Sequence, residues 1–312
     1  MDIFYTLHRV NGYRKVYKNW FNVIIKVKNG ENQIPVILRG KKEEVICTLS
    51  CVITLVDLVQ KLNYELTRFN IKDNKLFYDN NLIIQDNYLS VLLSASGFVK
   101  NSQEWYSPKY NVRFIEPINF SLSETFVLEQ YNTEIQGDVI DIGANIGDSA
   151  IYFALKGASH VYAFEPLPSI YRIALQNVKI NNLDDRITLI NAGVASNEGK
   201  VKVPSSIGIE KSREFSIKDQ GDVEVPLISF RDVLKMAKDP YLLKMDCEGC
   251  EADILLNVDS LPFEKIFVES HPPKSKVPHK KLLSKLGELK YKCKERGKGG
   301  KEAKIFYCEK IN

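Results

Sequence analysis

The segment Asp141-Ile-Gly143-Ala-Asn145-Ile-Gly147 joins an apolar run, VIDIG (139–143), to a helical one, DSAIYFALKGA (148–158). Glycines after a buried strand let the backbone bend tightly and approach a ligand closely. The helix that follows offers unpaired N–H groups and the positive end of its dipole. Glu165 ends the next apolar run, VYAFE (161–165), 24 residues after Asp141. An acid at that place can accept both hydroxyls of an adenosine ribose. Together these residues point to an adenosine-containing cofactor bound at the switch point of an α/β sheet. A nicotinamide fingerprint would read G-x-G-x-x-G. Here Asn145 takes the second glycine position and Asp148 the third, which disfavours close approach of a pyrophosphate. No G-x-x-x-x-G-K-[ST] phosphate loop is present either.

A second constellation lies downstream, in LLKMDCEGCEADIL (242–255) and FVESH (267–271). Glu269 and His271 are two apart on a strand and so face one side. An imidazole titrating near neutrality suits a general base. Asp246 and Glu248 are rival bases. With His271 they could instead hold a divalent metal, but two carboxylates and one histidine are a loose signature, and no metal is assigned. The plainer reading of such acids is helix capping at strand ends. Two independent motifs speak against it for Asp141 and Glu165, whereas no spacing rule does so for Asp246, Glu248 and His271.

D-x-G-x-N-x-G is the form seen in S-adenosylmethionine (SAM) methyltransferases of the Rossmann-like class. SAM has no phosphate to cradle, and a loop carrying Asp141 and Asn145 suits its amino and carboxylate groups. The segments 139–168, 191–199, 242–255 and 267–271 together resemble the FkbM family of these enzymes, in order and spacing, over roughly 115–310. GANIGDSAIYFA is similar to its archaeal members. The resemblance implies that Asp141, Gly143, Asn145 and Gly147 hold the methionine part of SAM and that Glu165 holds the ribose. It places Asn191 and Ala192 by the adenine. It assigns Lys244, Asp246, Glu248, Gly249 and Glu251 to the fourth-strand motif, with Asp246 also near the cofactor, and Glu269 and His271 to the fifth. His271, Asp246, Glu248 and Glu269 are the candidate catalytic groups.

Strands alternating with helices must position these residues. From Val139 onward the pattern is VIDIG, a helix, VYAFE, a helix over 169–181, ITLINAGV (187–194), an irregular stretch, YLLKMD (241–246), a helix near 250–257, and KIFVES (265–270). That order means right-handed βαβ units and a parallel sheet. LKYKCKER (289–296) and KIFYCEK (304–310) flank GKGG (297–300) and read as a closing antiparallel hairpin. The expectation is a Rossmann-like α/β domain over 111–312, with a seven-stranded, mostly parallel sheet. Residues 1–110 read as a small α/β accessory domain for substrate recognition. Its expected parts are strands over 22–28 and 34–39, an amphipathic helix over 45–66 and a hairpin over 75–86.

Composition sets the bounds. The chain has 312 residues, 44% of them hydrophobic and 26% charged, which excludes disorder. No run is long and apolar enough to span a membrane, and no signal peptide is visible, so a cytoplasmic protein is expected. Six cysteines are too sparse for a disulfide scaffold. Cys47, Cys51, Cys247 and Cys250 read as small apolar filler, while Cys293 and Cys308 are able to pair across the hairpin in an oxidising compartment or a hyperthermophile. Net charge is only +4, yet residues 272–310 hold thirteen Lys/Arg against four Glu. A solvated lysine-rich face is the plainer reading, an anionic partner the sharper one.

The function expected is methylation of a hydroxyl on a sugar, glycolipid or small metabolite, a class implied by the resemblance alone. An RNA methyltransferase using the basic segment is the less favoured alternative, because the fourth strand ends in KMDCEG and not in N-P-P-Y. A non-catalytic SAM-binding module comes third.

Overall fold

The computed structural model describes residues 3–213, 215–216, 221–299 and 302–311. The chain divides into two compact units, one of residues 1–100 with 107–109, the other of 101–106 with 110–312.

The larger unit is built on one seven-stranded sheet. Its strands are β1 (Asp138–Ile142), β2 (Val161–Phe164), β3 (Ile187–Ile190), β4 (Pro240–Met245), β5 (Lys265–Ser270), β6 (Tyr291–Gly299) and β7 (Ala303–Lys310). They lie in the order β3-β2-β1-β4-β5-β7-β6. β1 to β5 are parallel; β7 runs antiparallel to both β5 and β6. This is the Rossmann-like arrangement expected. All five residues of β1 are buried, as a central strand covered on both faces requires. The chain order reverses beside β1, and loops leaving β1, β2, β4 and β5 open at the same end of the sheet. Ligands bind at such a switch point.

Helices α1 (Phe120–Phe126), α2 (Asp148–Leu155), α3 (Pro168–Ile180), α4 (Cys250–Leu256) and α5 (His279–Glu288) belong to the same unit. Gly147 starts α2 at φ +84, a left-handed conformation that favours glycine. Pro168 opens α3 at a position where its missing N–H costs nothing. The core joins Ile140, Leu243, Ile266 and Val268 of the sheet to Ile254, Leu282 and Leu286 of the helices. The stretch read as irregular holds a second, three-stranded sheet of Gly193–Ala195, Val223–Ser229 and Gly199–Val203. The run 187–194 is therefore not one strand: it leaves the central sheet after Ile190 and joins the small one at Gly193. At the hairpin, β6 continues to Gly299; Gly300 and Lys301 lie outside the described residues.

The smaller unit corrects one expectation. Residues 22–28 are not a strand but part of a helix, Trp20–Lys28. Trp20, Val23, Ile24 and Val27 pack on the unit's core at three- and four-residue spacing, so tertiary burial overrides the β-branched composition. The helix expected over 45–66 is shorter, Leu49–Lys61, capped by Thr48 Oγ1 accepting from Cys51 N at 3.1 Å. Val45–Cys47 before it pairs with Ile34–Val36. Strands Lys75–Tyr78 and Asn81–Leu82 form the expected hairpin. No helix among the described residues is long and apolar enough to cross a membrane.

All six cysteines are paired. Cys293 and Cys308 are direct cross-strand partners and form a disulfide. Cys47–Cys51 and Cys247–Cys250 are also disulfides, which corrects their reading as unpaired filler. The first pair joins the last residue of a strand to the first turn of the helix that follows it. The left-handed residues Glu248 (φ +54) and Gly249 (φ +116) fold the second pair back on itself.

Candidate active site

One cavity opens at the C-terminal ends of β1, β2, β4 and β5. It is lined by Gly143, Asn145, Glu165, Leu167, Ala192 and Gly193. Glu124, Arg213, Asp246, Cys247, Glu248 and Glu269 line it as well. The two motifs that the sequence keeps 100 residues apart thus share one wall.

The glycine turn is held from below. Asp141 on β1 faces Lys244 on β4 as its register partner, and Lys244 Nζ lies 3.1 Å from Asp141 Oδ1. Lys244 also donates to the Gly143 carbonyl at 2.6 Å, and Ser149 donates to Asp141 Oδ2 at 2.6 Å. Burial works against the lysine's charge, but Asp141, Asp246 and Asp148 outweigh it and raise its pKa. Gly143 sits at φ +84 with the Asp246 carbonyl oxygen 1.8 Å from where a Cβ would be. Only a glycine fits there.

Glu165 is 4% exposed. Its carboxylate accepts from Asn145 N and Leu167 N, each at 2.9 Å. Burial is the larger effect on it, and the two backbone donors only partly offset that, so its pKa is pushed up to about 7. Asn191 does not reach the cavity. Its Nδ2 donates to the carbonyls of Glu165 and Pro166 and so fixes the backbone that follows Glu165. Asp141 and Gly147 also stand behind the wall, as supports of the turn. Gly143, Asn145, Glu165, Ala192 and Asp246 border the cavity directly.

His271 is only 6% exposed and does not line the cavity. Its backbone N–H donates to Glu251 Oε1 at 2.9 Å, and its Nδ1 lies 3.3 Å from the same oxygen. Its Nε2 faces Glu248 at 3.4 Å, Glu269 at 3.5 Å and Asp246 at 3.8 Å. Burial opposes the imidazolium, but hydrogen bonds to Glu251 and Glu269 and the charges of Asp246 and Glu248 prevail and lift its pKa to about 11. Burial pushes Glu248 up to about 7, against the pull of His271. Burial and then Asp246 raise Glu269.

Three groups escaped the sequence reading. Glu124 on α1 and Arg213 form a bidentate pair at 2.8 and 2.6 Å on the cavity wall. Burial raises Glu124 to about 7 although Arg213 pulls the other way. No motif links two residues so far apart. Glu251 was legible as a motif member but not as the acceptor that fixes His271.

Residues 141–293 match the family model described as the methyltransferase FkbM domain. Among curated proteins, the ribosomal protein L11 methyltransferase of Carboxydothermus hydrogenoformans is 42% identical over 52 residues, 17% of this chain and 17% of that protein. Methyltransferase sdnD of Sordaria araneosa is 25% identical over 182 residues, covering 46% of this chain and 70% of that protein. Among solved structures, methyltransferase FkbM from Methylobacillus flagellatus aligns with TM-score 0.41 and 17% identity, over 60% of this chain and 47% of that one. The chain thus spans under a fifth of the first curated relative and about half of that solved structure. Residues 141–293, with the glycine turn and Glu165 among them, thus carry a methyltransferase FkbM domain.

Proposed function

We propose that the chain transfers a methyl group from SAM to a hydroxyl of a polyhydroxylated acceptor: a sugar, a glycolipid or a small metabolite. The observation carrying this reading is the shared cavity wall, where Gly143, Asn145 and Glu165 meet the carboxylates of Asp246, Glu248 and Glu269. A methyl carbon on a sulfonium is already electrophilic, and that is what the cofactor supplies when bound. Glu165 would hold the ribose, and the turn at Gly143 and Asn145 would hold the amino-acid end. What remains for the protein is to orient a hydroxyl and accept its proton.

Carboxylates accept hydrogen bonds from hydroxyls and repel phosphates. A wall of three acids therefore favours a polyol over an RNA strand. Glu269 is our candidate proton acceptor, because it borders the cavity and burial raises its carboxyl. Glu248 is second. His271 is proposed as a positioning residue, since it stands behind the wall. Residues 1–110 are proposed to recognise the acceptor. We infer a cytoplasmic site of action, for which three disulfides require a hyperthermophilic host; an oxidising compartment is the other reading they support.

The test is labelled-methyl transfer from SAM to a panel of polyols, glycans, glycolipids and RNA. Uptake by RNA alone would refute the acceptor class. With an acceptor in hand, Glu269→Gln should lower kcat by about 100-fold or more while SAM affinity stays constant. An unchanged kcat would remove Glu269 from the role.

A further inference from the structure

We propose that Asp246, Glu248 and His271, with Glu269 beside them, bind one divalent cation of Mn²⁺ or Mg²⁺ type at the acceptor side of the cavity. The proposal rests on the methyltransferase reading for what the ion does, and not for whether it binds.

The spacing of the donor atoms carries the argument. One ligand atom from each of Asp246, Glu248 and His271 lies within 4.8 Å of the others. From His271 Nε2 the carboxylate oxygens stand at 3.4, 3.5 and 3.8 Å. Charge-assisted hydrogen bonds would draw such groups to about 2.7–2.9 Å. Two ligands each about 2.1 Å from one ion stand roughly 3.0 Å apart at a right angle and roughly 3.4 Å apart at the tetrahedral angle. The cluster is thus spaced as donors around a shared centre.

The imidazole supplies a second, independent observation. Its side chain is more than nine-tenths buried, and Nε2 points at the three oxygens. Glu251, which is not one of the four donors, holds the other end: it accepts from the His271 backbone and faces Nδ1. A carboxylate behind Nδ1 holds the proton on that nitrogen, so that a cation displaces the proton of Nε2 and takes its lone pair, the arrangement found behind metal-bound histidines. Asp246, Glu248 and Glu269 border the cavity, so an ion has a path in and an acceptor hydroxyl has a path to the ion. One nitrogen with carboxylate oxygens is a hard to borderline set, suited to Mn²⁺ or Mg²⁺ and not to a thiophilic metal; both nearby cysteines are tied in a disulfide. A bound ion would draw two neighbouring hydroxyls of an acceptor into the cavity and make one of them easier to deprotonate.

The experiment uses Mn²⁺ alone with the whole chain, without SAM or acceptor. Electron paramagnetic resonance should count one bound Mn²⁺, with nitrogen coupling in the pulsed spectrum from His271. Asp246→Asn and His271→Ala should each weaken Mn²⁺ at least about tenfold, and His271→Ala should erase the nitrogen coupling. Asp259→Asn, an exposed acid outside the cluster, should change nothing. Circular dichroism checks folding, and Glu248→Gln serves if either variant fails to fold. No bound Mn²⁺ at millimolar concentration, binding without nitrogen coupling, or affinity indifferent to these variants would overturn the proposal. Calorimetry with SAM on the same samples reads the methyltransferase assignment separately, so the two can fail independently.

Discussion

Glu165 should make SAM affinity depend on pH near neutrality. A ribose diol needs an ionised carboxylate to accept its hydrogen bonds, yet burial has raised this carboxyl to about 7. Below that value each pH unit costs about 1.4 kcal/mol of binding, or tenfold in Kd. Between pH 7, where the carboxyl is already half protonated, and pH 5.5 the loss is about 1.6 kcal/mol, roughly 16-fold. The unliganded fold responds in the opposite sense. Because the folded pKa lies above the unfolded value, the protonated form is the stabilised one. That stability is complete below about pH 4.5 and is lost as pH rises through about 7. Over that window about 3 kcal/mol is at stake, and SAM binding offsets the loss at the alkaline end. Glu165→Gln cannot ionise. It keeps one acceptor for Asn145 N and Leu167 N where two oxygens served, so its SAM affinity should be lower at pH 8 by about 1.5–3 kcal/mol. The assay is calorimetry with SAM at pH 5.5, 7 and 8.5 for both proteins. The difference between them cancels any titration of SAM itself. A wild-type profile parallel to that of Glu165→Gln would refute the reasoning.

Two further outcomes follow from the turn's supports. Lys244→Met leaves Asp141 buried without its partner, which should cost about 3–5 kcal/mol in denaturant unfolding; a loss under about 1 kcal/mol would mean that the pair is dispensable. Gly143→Ala puts a Cβ 1.8 Å from the Asp246 carbonyl oxygen at φ +84, so it should abolish SAM binding in calorimetry, and retained affinity would show that the turn can move.

The strand, turn and acid that border one part of the cavity were legible because their physics is local. β1 is buried on both faces and so reads as a plain apolar run, the turn needs glycine at Gly143 and Gly147, and Glu165 must end the next strand. The helix at Trp20–Lys28 was not legible, because its β-branched residues fit a strand equally well and only packing in the smaller unit decides. Glu124 and Arg213 meet from 89 residues apart, and neither stands in a motif. The expectation of His271 as a base followed from its ordinary pKa; three of the four carboxylates around it come from the 246–251 segment and one from the strand that leads into it, and their convergence is a property of the fold.

The position of β7 has a consequence for how the protein is made. It follows β6 in the chain yet lies between β5 and β6 in the sheet. A ribosome therefore finishes the whole cofactor side, and then β6, before the strand that joins β6 to β5 exists. Until residues 303–310 emerge, the inner edge of β5 keeps its backbone groups unpaired beside Phe267 and Ile266, which are fully buried in the finished fold. An open apolar strand edge invites pairing with another chain. The nascent enzyme is thus most vulnerable to misassembly just before its synthesis reaches Lys310, with its glycine turn already built.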